Sequence, residues 1–219
     1  MIAIDGPAAS GKSTIAQRVA KRMGFLFFDT GVMYRAVTWA VLTSNLSVDD
    51  ESAITRLSEQ VQIDVNPPSK DDGRAYDVLL NGDDITWEVR RPEVDENVSK
   101  ISAYPGVRKA MTEQQRRIGL RGDVVMVGRD IGTVVLPEAD VKIYLIASVE
   151  ERARRRYTEI VGRGETADYE SILESMRKRD AIDSTRAVAP LKPADDAVIL
   201  DSDGMTIEEV VQKVMDIIL

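Results

Sequence analysis

Short apolar blocks alternate along this chain with segments of helical spacing. Ile2 to Asp5 reads as a short apolar strand, and a glycine-rich loop follows it. A helix is predicted from about Lys12 to Met23, with Gly24 where a left-handed C-cap is wanted. Phe25-Leu26-Phe27-Phe28 is apolar on both faces, which predicts a buried parallel strand. Strand, loop, helix and strand in that order open a doubly wound α/β fold. Thr30-Gly31 then leads into a helix with Tyr34, Val37 and Val41 on one face.

The texture changes near Val61. Residues 62–86 alternate and are rich in turn formers, and Asn81-Gly82 is a strong hairpin signal. A small antiparallel insert is predicted over 62–103, between core segments 1–61 and 104–219. Pro92 and Pro105 each suit the first turn of a helix, and Val107, Met111, Gln114 and Ile118 recur at helical spacing. Buried strands return at Val124 to Val127 and Val141 to Ile146. An arginine-dense helix carries Arg152, Arg154, Arg155 and Arg156 up to Gly162-Arg163-Gly164, and another helix holds Ile172 and Met176. Ala197 to Leu200 is a last strand. Thr206 with Glu209 forms a capping box for a final helix whose Ile207, Val210, Val211, Val214 and Ile218 face the core. The sum is a doubly wound parallel sheet with helices on both faces, the antiparallel insert, and a helical lid over about 152–168.

Composition narrows the chemistry. No apolar run approaches the ~20 residues that cross a bilayer, and the first residues are too soon interrupted for a signal peptide. Cysteine and histidine are both absent. That removes disulfides, thiolate chemistry, Ser-His-Asp catalysis and imidazole metal sites, and it makes the cytoplasm the default compartment. Any metal must sit on oxygen, which favours Mg2+. The net charge of −8 disfavours nucleic acid as a partner, so an anionic ligand needs a local basic pocket.

Gly6-Pro7-Ala8-Ala9-Ser10-Gly11-Lys12-Ser13, continuing to Thr14, matches G-x-x-x-x-G-K-[ST] between a strand and a helix. Its glycines let backbone N–H groups curl around phosphates, Lys12 would reach the β- and γ-phosphates, and the Ser13 hydroxyl would hold Mg2+. No Asn is followed by Lys, as a guanine-reading switch would need, and the apolar strand at 124–127 continues as Gly128-Arg129-Asp130 rather than Asp-Glu. A small-molecule kinase remains. An acceptor that is itself a phosphate calls for bidentate arginines. Arg129 lies just past a strand end, where such folds place ligands. Arg35 follows another strand end. Arg179, Asp183 and Arg186 would share one helix face, and the arginine-rich helix beside Gly162 and Gly164 suits either a lid or a solvated face.

Together these residues resemble bacterial cytidylate kinases over nearly the whole chain. The resemblance rests on Ile4-Asp5-Gly6-Pro7, Asp29-Thr30-Gly31 with Tyr34-Arg35, Tyr104-Pro105 with Val107-Arg108, and Gly128 to Val135. It extends through Glu151-Arg152-Ala153 and Arg179-Asp180 to Asp183, Arg186 and Ala189-Pro190-Leu191. It implies a P-loop nucleoside monophosphate kinase that converts ATP and CMP or dCMP to ADP and CDP or dCDP with Mg2+; a monomer is expected. By position it places Thr30, Tyr34, Arg35 and Arg129 around the monophosphate. Ser99, Arg108 and Asp183 fall at the cytosine, Arg179 and Arg186 at sugar and phosphates, and Arg155 in the lid. Lys12, Arg129 and Arg155 would neutralise the transferring group. The residue before Gly128 is usually acidic in that family and here is Val127, leaving Ser13 as the metal ligand with Asp29 as an outer-shell helper. Other readings are a kinase of dTMP, shikimate or a sugar acid, and a slow NTP-binding regulator.

Overall fold

A computed structural model describes residues 1–185 and 188–219. The strands fall into a five-stranded sheet and a three-stranded one, giving the α/β fold that the sequence predicts. The chain divides into two compact units, Met1–Met23 with Val127–Leu219, and Gly24–Met126. No helix of the described residues is long and apolar enough to cross a membrane.

In the first unit, β1 (Ile2–Asp5) pairs in parallel with β7 (Val141–Ile146), Ile2 opposite Val141 and Asp5 opposite Tyr144. β7 pairs in parallel with β8 (Val198–Asp201). Parallel pairing brings the C-terminal ends of these strands to one edge, where α/β sheets bind ligands. All four residues of β1 are buried, as a central strand covered on both faces requires. α1 (Lys12–Met23) packs against α8 (Ile207–Ile218), and α6 (Val149–Gly162) against α7 (Tyr169–Thr185). The α6–α7 contact centres on Ala153, Leu173 and Met176. The Thr206–Glu209 capping box forms. Ile207 does not face the core as expected. It is 46% exposed, and Val210, Val211 and Val214 carry the buried face.

In the second unit, β2 (Leu26–Asp29) neighbours β6 (Val124–Val127) at the rim of its sheet. That edge position explains why only Phe28 of β2 is fully buried, where an apolar run predicted burial on both faces. α2 (Gly31–Thr43) packs on α4 (Pro92–Ile101). α3 (Glu51–Gln60) packs on α5 (Pro105–Gly119). Helix α3 is capped by Asp50, whose carboxylate accepts from Ala53 N–H. Its apolar stripe is too thin to announce it, with only Ile54 and Ser58 buried.

The small antiparallel sheet comprises β3 (Ile63–Asn66), β4 (Asp77–Leu80) and β5 (Asp83–Asp84). Asn81 and Gly82 make its turn, both with positive φ (52° and 94°), the pairing that two-residue hairpins favour. Arg74 is buried against Asp72, Asp77 and Asp84, which it bonds at 2.8, 2.8 and 2.9 Å. This knot ties the preceding loop to the hairpin. The Gln114 side chain extends the sheet, accepting from Ile63 N–H at 2.8 Å and donating to the Val61 carbonyl at 2.9 Å. Helix α5, which carries Arg108, is thereby locked to the start of β3. Gln114→Leu keeps the volume but strands both backbone groups. Urea unfolding should show a loss of about 1–3 kcal/mol; an unchanged midpoint would mean that water replaces the amide without cost.

Candidate active site

The phosphate loop is shaped first by absence of a side chain. Gly6 has φ +147°, and a Cβ there would lie 2.1 Å from the Leu145 carbonyl oxygen of β7. Gly11 has φ +92° and Ala9 φ +59°, left-handed conformations that cost an L-residue about 1 kcal/mol or more. Three cationic side chains then take three carbonyls of the loop. Lys12 Nζ donates to Pro7 O at 2.5 Å and to Ser10 Oγ at 3.4 Å. Arg152 Nη1 donates to Ala8 O at 3.1 Å, and Arg155 Nη1 to Ser10 O at 3.3 Å. In a trans peptide the carbonyl and the next N–H point opposite ways. Drawing these oxygens toward protein cations therefore turns the N–H groups of Ala8, Ala9 and Gly11 the other way, as an anion-binding nest requires.

Lys12 is buried, while Ser13 and Thr14 are exposed. They border a cavity of about 600 Å³ whose far wall is Arg155, Arg156, Ser202, Met205 and Ile207. The N-terminus of α1 opens here and adds its partial positive charge. A second cavity of about 650 Å³ is bordered by Ala8 and Ala9 and by residues of α7 that include Arg179.

The four arginines of α6 separate into distinct uses. Arg152 is 4% exposed and holds Asp180 of α7 with a two-pronged bond, at 3.1 and 2.5 Å. Arg154 pairs with Glu151 at the surface. Arg155 binds Glu151 at 2.8 Å and the Ser202 carbonyl at 2.7 Å, besides the loop. Arg156 pairs with Glu159 and borders both cavities. The sequence reading gives a role to Arg155 but none to Arg152, Asp180 or Ser202. The Arg152–Asp180 and Arg155–Ser202 contacts join residues 28 and 47 positions apart, which no local pattern announces.

Past β6, residues Ile131–Val135 form a π-helical turn. Asp5 caps it from β1, accepting from Ile131 N–H at 2.8 Å and Gly132 N–H at 2.7 Å. Burial pushes the Asp5 carboxyl up to about 6, against the lowering effect of those two amides, with Asp130 raising and Lys12 lowering it further. Arg129 Nε donates to the carboxylate of Asp183, which is itself buried on α7. Arg129 and Asp183, far apart in sequence, are thus brought together. Arg179 stands exposed on the same helix. Val127, the departure from the family pattern noted above, is a core residue 1% exposed. Arg186 lies outside the described residues.

In the second unit, Asp29 Oδ1 accepts from Gly31 N–H at 3.0 Å and so opens α2 in place of Thr30, which is buried and makes no capping bond with its side chain. Arg35 pairs with Asp95 at 2.5 Å and donates to Val89 O at 3.2 Å. Arg108 is 8% exposed, with its guanidinium 5.5 Å from the centre of the Tyr34 ring, a cation–π arrangement. Ser99 is exposed on the last turn of α4. Tyr34 and Arg108 are therefore neighbours, and Arg35 sits on the same helix as Tyr34.

Strand, glycine loop and helix, with a buried lysine and an exposed hydroxyl at the helix start, define a P-loop nucleotide-binding protein. Across residues 2–219 the chain matches the family model for cytidylate kinase. It is 52% identical to the cytidylate kinase of Carboxydothermus hydrogenoformans, covering 99% of this chain and 96% of that one. Against the cytidylate kinase of Roseiflexus castenholzii it is 52% identical, over 98% and 91% of the two chains. Against that of Bacillus licheniformis it is 45% identical, over 99% and 95%. The chain belongs to the cytidylate kinase family.

The raised Asp5 carboxyl predicts a pH effect of definite sign. Between about pH 4 and 6 the folded state binds a proton that the unfolded chain releases, so the stability that Asp5 contributes falls as pH rises through that window. The stability of the wild type relative to Asp5→Asn should fall by up to about 3 kcal/mol between pH 4 and 7. Denaturant unfolding of both proteins at each pH checks this; a difference that grows with pH would contradict it.

Proposed function

We propose that this chain transfers the γ-phosphoryl group of ATP to CMP or dCMP, giving ADP and CDP or dCDP. The observation that carries the reading is a family match over the whole chain on a loop already folded to receive phosphates. The acceptor is an anionic phosphate oxygen, so no strong general base is needed. That agrees with a chain without histidine. Catalysis then rests on alignment and charge, because the transition state is loose and its negative charge is spread.

Lys12, held against the loop's own oxygens, would exchange them for those of the β- and γ-phosphates. The amides of the loop would take the rest. Arg129 and an arginine of α6, Arg155 or Arg156, would neutralise the transferring group. The Ser13 hydroxyl is a hard oxygen donor at the cavity margin, which suits Mg2+ when a nucleotide and water supply the remaining oxygens. Bound there, the metal would supply charge neutralisation between the phosphates. Thr30, Tyr34 and Arg35 would hold the monophosphate, and Ser99, Arg108 and Asp183 would read the cytosine. Arg179 and Arg186 would grip sugar and phosphate. In this reading residues 62–103 are the monophosphate-binding insert and 152–168 the lid, whose closure excludes water as a competing acceptor.

The base preference has a chemical cause. An ionised Asp183 only accepts hydrogen bonds, so it can take the 4-amino proton of CMP but meets the 4-oxo oxygen of UMP with no proton between them. Steady-state rates with ATP·Mg2+ and a panel of nucleoside monophosphates, scored by product mass, test the reading. CMP and dCMP should lead; turnover fastest with dTMP, shikimate or a sugar acid, or ADP release independent of any acceptor, would overturn it. Asp183→Ala also releases Arg129, so it should slow both pyrimidines. The discriminating quantity is the CMP:UMP ratio of kcat/KM, which should narrow about tenfold, or ~1.4 kcal/mol. An unchanged ratio would take the base from Asp183.

A further inference from the structure

We propose that Asp5 is a positioning residue for phosphoryl transfer: its carboxylate fixes the turn that carries Arg129 to the strand from which the phosphate loop springs. The proposal rests on the reading of Arg129 given above. Two consecutive residues of β1 grip the chain on both sides of Arg129. On the near side, Gly128 N–H donates to the Ile4 carbonyl at 3.2 Å. On the far side, the two oxygens of Asp5 take Ile131 N–H and Gly132 N–H at 2.8 and 2.7 Å. The next residue along β1 is Gly6, the first of the phosphate loop. Arg129 and the loop are therefore referred to the same two residues.

A carboxylate suits this task better than its amide. The first N–H groups of a helical turn have no partner within it, and a carboxylate offers each an acceptor oxygen. The side chain of Asp130, at the start of the turn, makes no capping bond to it. Asn at position 5 would present one acceptor and one N–H donor, so one backbone amide would meet a donor. The fit is close elsewhere too. A Cβ at Gly132 would lie 3.5 Å from Asp5 Oδ2 and 3.2 and 3.3 Å from two methylenes of Lys142, whose ammonium is engaged by Asp196. A shift of the turn moves Arg129, and misplacement of about 1 Å at a transferring group can cost a hundredfold in rate.

The test is a double-mutant cycle in the full chain on Asp5→Asn and Arg129→Ala, with kcat and the KM for ATP measured separately. Asp5→Asn should lower kcat about tenfold or more and leave the KM for ATP within about twofold. The double variant should be no slower than Arg129→Ala alone, because Asp5 acts through the arginine. Multiplying effects would show that Asp5 works elsewhere and would overturn the proposal. Arg129→Ala with wild-type kcat would sink the role of Arg129 and this proposal with it, whereas a slow Arg129→Ala with multiplying effects sinks this proposal alone. Should Asp5→Asn fail to fold, Gly132→Ala, which disturbs the same turn, must show the same kcat loss and the same non-additivity.

Discussion

The close approach of Gly6 to the Leu145 carbonyl is the constraint on which the site depends. It seats the phosphate loop directly on the backbone of β7, with no side chain between. From that seat, Arg152 and Arg155 of the helix following β7 can reach the carbonyls of Ala8 and Ser10, and Lys12 can fold back on Pro7. Any side chain at position 6 would lift the loop from all three. The glycine therefore does more than permit an unusual φ. It sets the distance at which the cations meet the loop.

Charge is arranged locally against the sign of the whole. A chain with net charge −8 must still hold polyanions, and it concentrates cationic groups around a few backbone oxygens. The arginines of α6 show how such groups are divided. Arg152 is consumed in architecture, joining the loop to Asp180 of α7. Arg155 braces the loop against Ser202, and Arg156 stands between two cavities. One helix thus supplies both scaffold and cavity-lining charge. Asp5 adds the opposite sign where it is least expected, buried beside the loop, because two backbone amides of the turn past Arg129 need an acceptor.

Most of the frame is legible in the sequence because it is encoded locally. Alternation and apolar runs give the strands, Pro92 and Pro105 give two helix starts, and Asn81-Gly82 gives a hairpin. The phosphate loop is legible for the same reason, since its chemistry sits in consecutive residues. Long-range pairings are not. Nothing near Asp5 in sequence reveals that its partners are residues 131 and 132, and the pairing of Arg129 with Asp183 spans 54 positions. Spacing places Asp183 on one helix with Arg179, as α7 has it, but gives no sign that Asp183 also binds Arg129. The π-helical turn at 131–135 also leaves no periodic trace, being a single irregular turn held from another strand. Helix α3 leaves little trace in the sequence because its buried face is narrow.

The account stands or falls on phosphates meeting a lysine presented by the loop. Lys12→Ala removes that charge and leaves Gly6, Arg152 and Arg155 in place to hold the backbone. CMP-dependent ADP release should fall by at least about a hundredfold, the scale of one oriented charge in a transition state, while thermal unfolding shows an intact fold. A folded Lys12→Ala enzyme turning over near the wild-type rate would contradict the account.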